Sequence, residues 1–423
     1  MAATAVHQSG DIPSSEQRDR LDFPYRVVAY VSLFFLALLL SSSLLPDMLS
    51  DGISARLGNR DFVNYWAAAH LAANGDVATV FGPQAGYFDH LSLLMGPGFH
   101  WHNWSYPPHY LLLVMPLALV GYKLGIILFL LVTGLLFGTG LRAFMGGRDR
   151  LALVAVAPLI ATNILVMQNG FLTAGLALWF LALRDKRSIV AGIFLGFLSV
   201  KPHLALPLLI IPVVERRWTL LLMSGLVTIL LVLLSVGAFG IESWIGFARN
   251  VLPYQAKVVT DLEGSWLTML PSLFGAVRLL GESATMALWI HMAIAVPALL
   301  LVLICLAAGR SPRLADMLLP ISAFIVLPYA FNYDFGTAAA ALALFIRREE
   351  ALGRGFTNGE KRLLALAMLM PLIMIGIGAL SRINIGPIIL FAMLRLLLRR
   401  TGILSDVRGY ALRLRPTPTR KAA

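Results

Sequence analysis

The chain has 423 residues, 58 % of them hydrophobic and only 13 % charged, with a mean hydropathy of +0.80. Soluble domains carry about 25 % charged and 45–50 % apolar residues, so this composition excludes a soluble globular protein and predicts one integrated polytopic membrane domain. The single Cys305 lies in an apolar run, which excludes an internal disulfide and any multi-cysteine metal or iron–sulfur centre.

Residues 1–25 are expected to form a cytoplasmic tail. The first apolar run, 26–46, is long for a signal-peptide core and lacks a small-residue cleavage site, so it reads as a retained anchor. The stretch 47–122 then carries Asp47, Asp51, Asp61, Asp76 and Asp89 with His70, His90, His100, His102 and His109. Within it, 61–75 predicts a short surface helix with Phe62, Trp66, Ala69 and Ala73 on one apolar stripe and Gly75 as its stop. Asp61, at the start of that helix, suits an N-cap as well as a functional acid. In "HWHNWSYPPHY" (100–110), aromatic faces and polar edges suit sugar or headgroup recognition, and equally an interfacial aromatic belt. His100 and His102 share a side only in an extended strand and have no evident third ligand, so no metal site is expected. The double proline and Pro116 make 106–122 an interfacial or re-entrant segment on the outer side.

Further apolar runs follow near 123–141, 151–167, 170–183, 188–200, 203–214, 218–240, 284–308, 314–330, 335–346, 362–380 and 384–398. The expectation is an all-α polytopic protein with about 12 (10–13) transmembrane helices in a membrane domain over 26–400. Polar groups interrupt the runs. In "MQNGFLTAGL" (167–176), Gln168 and Asn169 can donate to sugar hydroxyls and Gly170 permits a tight reversal; an ordinary membrane hairpin is the other reading. In "FLSVKPHLALPL" (197–208), Lys201 and His203 flank a proline break, which suits a phosphate pocket or a lysine snorkelling from a helix end. The loop 241–283, with Trp244, Tyr254, Lys257, Trp266 and Arg278, reads as amphipathic and lying along the outer surface. Asn332 and Asp334 fall on a later outer turn, and Arg382 is the only charge in the outer turn of the last hairpin.

On this topology 26 of the 34 Lys and Arg residues, including those of a basic cytoplasmic tail 401–423, share the side of both termini. That asymmetry is the positive-inside pattern, and it accounts for the net charge of +12 without nucleic acid. The expected site is an inner (plasma) membrane with both termini cytoplasmic and the polar loops facing outside.

The pieces "DFVNYWAAAHLAANGD", "YPP" with the following "MPL", "QNGFLTAGL" and "RDKRSIVAGIFLGFLSVKPHLALPL" occur in an order that resembles glycosyltransferase family 87 of the GT-C superfamily. The resemblance covers 60–215, and the remainder in hydropathy; Met167 stands where related sequences often carry glycine. It implies a membrane-embedded mannosyltransferase-like enzyme taking a hexose from a polyprenyl-phosphate donor to a lipid or glycan acceptor. Asp61 would be the general base of an inverting transfer. Tyr65, His102, Tyr106, His109, Gln168, Asn169, Lys201, His203, Asp334 and Arg382 would bind the donor's sugar and phosphate. A lipid phosphate leaves without nucleotide-diphosphate chemistry, so no metal or other cofactor is required. The alternative is a transporter or flippase, although no two-fold repeat is evident and the polar residues crowd one face. A non-catalytic scaffold would leave Asp61 and the outer histidines without a purpose.

Overall fold

The structure, a computed structural model, describes residues 21–96, 102–308 and 313–403, and every regular element among them is helical. Among the described residues five helices are long and apolar enough to cross a membrane: Phe23–Leu49, Tyr122–Met145, Trp218–Phe239, Ala284–Ala308 and Asn358–Ser381. Six further apolar helices have only 10–17 residues. At 1.5 Å per residue a straight span of a ~30 Å core needs about 20 residues, so the described residues do not show twelve full-length spans. The breaks at Met167–Asn169 and Lys201 divide the hydrophobic sequence into pieces that sequence counting takes for complete spans. Within the first helix, a π-turn at Leu40–Leu44 coincides with Ser41 and Ser42, whose hydroxyls both donate to the Leu38 carbonyl.

The segment 106–122 forms a helix at Pro108–Val114 and a 3-10 turn at Met115–Leu119. Together they reach roughly 20 Å, short of a hydrocarbon core. They pack on the helix Phe62–Ala73, which corrects the expected surface stripe. Phe62, Val63, Tyr65, Ala67, Ala68, Ala69 and Leu71 are buried, while Ala73 is exposed. A helix apolar on nearly all sides is driven inside, and here the first loop supplies its cover. Gly75 does follow its end in the left-handed region, at φ +80°.

Three hydrophobic clusters form among the described residues, the smallest around Leu267, Leu270 and Phe274. The largest joins Tyr122–Met145, Arg150–Val166, Gly170–Leu183, Leu314–Val326 and Gly336–Ala351. Small residues set its close crossings: a Cβ on Gly175 would stand 2.9 Å from the Phe137 nitrogen. The second core lies under the first loop and is aromatic, with Phe62, Tyr65, Tyr87, Trp104 and Tyr110 fully buried. The helix Arg150–Val166 links two chemically distinct ends of the bundle. At its start lie ion pairs such as Arg347–Asp149 (2.8 Å), and Val166 at its finish meets Asp61.

The region 241–283 is built from several short pieces, Ile241–Gly246, Leu252–Asp261 and Leu273–Leu279 among them. Leu252–Asp261 has no buried residue, and its Gln255 bridges Asn103 of the first loop (3.2 Å) to the Tyr329 hydroxyl (2.8 Å).

Candidate functional site

The last carbonyls of an α-helix have no partner within it, and the helix Arg150–Val166 offers its own to the first loop. The Arg60 guanidinium donates to the Leu165 carbonyl, and the Asp61 amide donates to that of Val166 at 3.2 Å. This docking holds Asp61 in helical geometry (φ −59°, ψ −19°), not the extended geometry usual for an N-cap. Asp61 stands at the cap position, yet its side chain makes no cap hydrogen bond. Its Oδ1 lies 3.2 Å from His102 Nδ1 instead. Among the described residues Oδ2 has no hydrogen-bond partner, and the side chain is 30 % exposed.

One helical turn further, the Tyr65 hydroxyl sits 3.0 Å from that of Tyr106, and both donate to Gln168 Oε1. Burial, then the neighbouring phenols Tyr106 and Tyr110, hold the Tyr65 hydroxyl well above its usual pKa, so it serves as a neutral donor. Burial does the same for Tyr106, with Tyr110, Asp334 and Asp61 contributing. Two phenolic donors on one oxygen fix the orientation of the Gln168 amide. Its Nε2 has no partner among the described residues and is the donor this arrangement presents.

Asn169, Lys201 and Asp334 meet below that turn. Lys201 Nζ lies 2.8 and 2.9 Å from the two Asp334 carboxylate oxygens and 3.2 Å from Asn169 Oδ1. Thr173 donates to Asp334 Oδ1 at 3.2 Å, and the ammonium lies 4.8 Å from the Tyr333 ring centroid. Lys201 is buried and does not snorkel, and three acceptors match its three N–H groups. Gly170 serves this cluster through close approach and not through its own φ, because a Cβ there would lie 2.0 Å from the Tyr333 carbonyl oxygen. The reversal itself falls on Met167, at φ 56° and ψ 43°. Glycine adopts that left-handed conformation without strain, whereas methionine holds it at a cost.

The structure brings Asp61, Tyr65, His102, Tyr106, Gln168, Asn169, Lys201 and Asp334 to one end of the bundle. His109 is buried beside them, with Nε2 3.2 Å from Ser199 Oγ and its ring stacked on Trp244. His203 follows the Lys201 break, and its Nε2 is buried without a partner among the described residues. Arg382 is exposed at the end of Asn358–Ser381, and no hydrogen bond or ion pair among the described residues joins it to the cluster. His100 lies outside the described residues, and among those described no group of three or more His, Cys, Asp or Glu could hold a metal ion.

Sequence reasoning missed Asn59, Thr173, Gln255 and Tyr329. Thr173 carried a signal, standing one helical turn after Asn169. Asn59 carried none, since only the fold places its Oδ1 2.9 Å from His102 Nε2. Tyr329 is held to the site by Gln255, and burial raises its phenol, with Asp61 and Asp334 adding to the rise.

A family model described as glycosyltransferase family 87 matches residues 104–330. No curated protein and no solved structure matches the chain.

Proposed function

This chain belongs to glycosyltransferase family 87 and is a membrane glycosyltransferase, and on that footing we propose its donor, its base and its orientation. The donor is a polyprenyl-phosphate hexose, mannose by the family's bias, and the acceptor is a lipid or glycan hydroxyl. The acceptor oxygen attacks the anomeric carbon as its proton passes to Asp61 Oδ2. The bond from that carbon to the phosphate oxygen breaks, and polyprenyl phosphate departs with the electron pair, giving inversion.

One observation carries the assignment of the base. Asp61 has one carboxylate oxygen anchored and the other without a partner among the described residues, in a partly exposed position at the end of a docked helix. A general base must reach the hydroxyl it deprotonates, and a fixed carboxylate with a free oxygen meets that demand. Gln168 Nε2 supplies a sugar hydroxyl with a donor. His203 and Arg382 remain as groups for the phosphate, whereas Lys201 acts through Asn169 and Asp334. The cationic network around Arg184, Arg313 and Arg347 at the opposite end supports a cytoplasmic placement of that end, with the Asp61 end facing outside.

The test is Asp61→Asn in the full chain, reconstituted in vesicles with labelled polyprenyl-phosphate mannose and a membrane lipid extract. Transfer is expected to fall about 10²- to 10⁴-fold while the thermal midpoint stays near that of the parent. Near-normal transfer would overturn the assignment.

A further inference from the structure

The acid and imidazole at this site admit two divisions of labour, and the contacts choose between them. In a Ser-His-Asp arrangement the carboxylate orients the imidazole, and the nitrogen far from the acid takes the proton. Here His102 Nδ1 faces Asp61 Oδ1 at 3.2 Å. The far nitrogen, Nε2, is not open: it lies 2.9 Å from Asn59 Oδ1. Each ring nitrogen faces an oxygen that accepts from it, so neither is placed to take a proton from an acceptor hydroxyl, and the His102 side chain is only 14 % exposed. Among the described residues, Asp61 Oδ2 is the oxygen of this group left without a partner. Asn59 is fixed in turn, because it directly follows the helix Ala55–Gly58, whose Ser54 cap and Tyr122–Leu57 bond (3.1 Å) tie it to the bundle.

We infer that His102 is a positioning residue, clamped between Asn59 and Asp61 so that its imidazole fixes Oδ1 and leaves Oδ2 to the acceptor hydroxyl. Asn59 closes off the nitrogen through which His102 would otherwise compete as the base. The inference rests on the reading of Asp61 as general base. It assigns His102 to the base and takes it away from donor binding. Losing such a clamp misplaces the reacting oxygen without touching the donor. Displacements of about 1 Å in comparable sites cost on the order of 10²-fold in rate.

The experiment measures kcat and donor KM with labelled polyprenyl-phosphate mannose for His102→Gln, Asn59→Ala and His102→Gly, beside Asp61→Asn. His102→Gln is expected to lower kcat about 10- to 100-fold with donor KM within about two-fold of the parent. Added imidazole is expected to restore part of the His102→Gly loss. Asn59→Ala, at an exposed position, is expected to lower kcat by a smaller factor in the same direction. Unchanged kcat in His102→Gln, or a rise confined to donor KM, would overturn the positioning role. Loss in His102→Gln as complete as in Asp61→Asn, with both variants folded, would make the imidazole the base. If His102→Gln fails to fold, Asn59→Ala decides: a kcat equal to the parent's overturns the clamp. Activity retained in Asp61→Asn would instead sink the underlying reading of the base, whatever the histidine variants do.

Discussion

Replacing Lys201 separates a structural strut from a phosphate ligand. The side chains of Lys201 and Asp334 are 6 % and 0 % exposed, so Lys201→Met strands a carboxylate whose remaining side-chain partner is Thr173. Breaking one partner of a buried pair costs about 3–5 kcal/mol, whereas exchanging both for apolar groups is close to neutral. Lys201→Met is therefore expected to unfold several degrees early, and Lys201→Met with Asp334→Leu to recover most of that loss. Fluorescence-detected size exclusion after a temperature series reads both. The kinetics of the double variant then decide the role. A strut, with all three N–H groups already matched, predicts a donor KM within about two-fold of the parent. If the double variant is stable yet its donor KM rises tenfold or more, Lys201 turns to the phosphate on binding and the strut reading is wrong. If the double variant is no more stable than the single one, the buried-pair reasoning itself fails.

Two further substitutions test the neighbouring turn. Gly170→Ala would place a Cβ 2.0 Å from the Tyr333 carbonyl oxygen and 2.5 Å from Asn163 Oδ1, so the turn bearing Asp334 must move. A loss of about 1–3 kcal/mol or more is expected, with transfer falling beyond what stability explains; parent-like behaviour would mean the turns are not in contact. Met167→Gly relieves a left-handed conformation worth about 1–2 kcal/mol, but it empties a fully buried side chain worth about 2–5 kcal/mol. The net expectation is a lower thermal midpoint, and a higher one would show that backbone strain outweighs packing.

The membrane class was legible because mean hydropathy integrates over the whole chain, and no local detail can reverse it. Span count was not, because hydropathy cannot see that Met167–Asn169 and Lys201 break the backbone geometry as well as the polarity. Asp61, Gln168 and Asn169 were legible as polar residues beside apolar runs. Their surroundings were not, since His102 reaches Asp61 across 41 positions of sequence, Asn59 reaches His102 across 43, and Lys201 joins Asn169 to Asp334 across 32 and 133, separations that only packing closes. The surface reading of 61–75 failed for a related reason. A helix wheel sees one helix, whereas the cover over Phe62–Ala73 comes from 108–119 and from Trp104.

The choice between cap and base at Asp61 turns on the same docking. An aspartate that caps a helix accepts backbone N–H bonds, and a carboxylate saturated in that way is a poor proton acceptor. At Asp61 the backbone does the anchoring, through an amide given to the Val166 carbonyl, and it does so in a conformation that turns the side chain away from the N–H groups of its own helix. The helix Phe62–Ala73 goes without that cap bond, a sacrifice of about 1 kcal/mol that its burial on nearly all sides makes tolerable. A capping aspartate needs no second helix end beneath it and no imidazole beside it. Asp61 has both, and their combined effect is a carboxylate fixed in place with one oxygen unengaged among the described residues, which is what the proposed base requires and what helix capping does not.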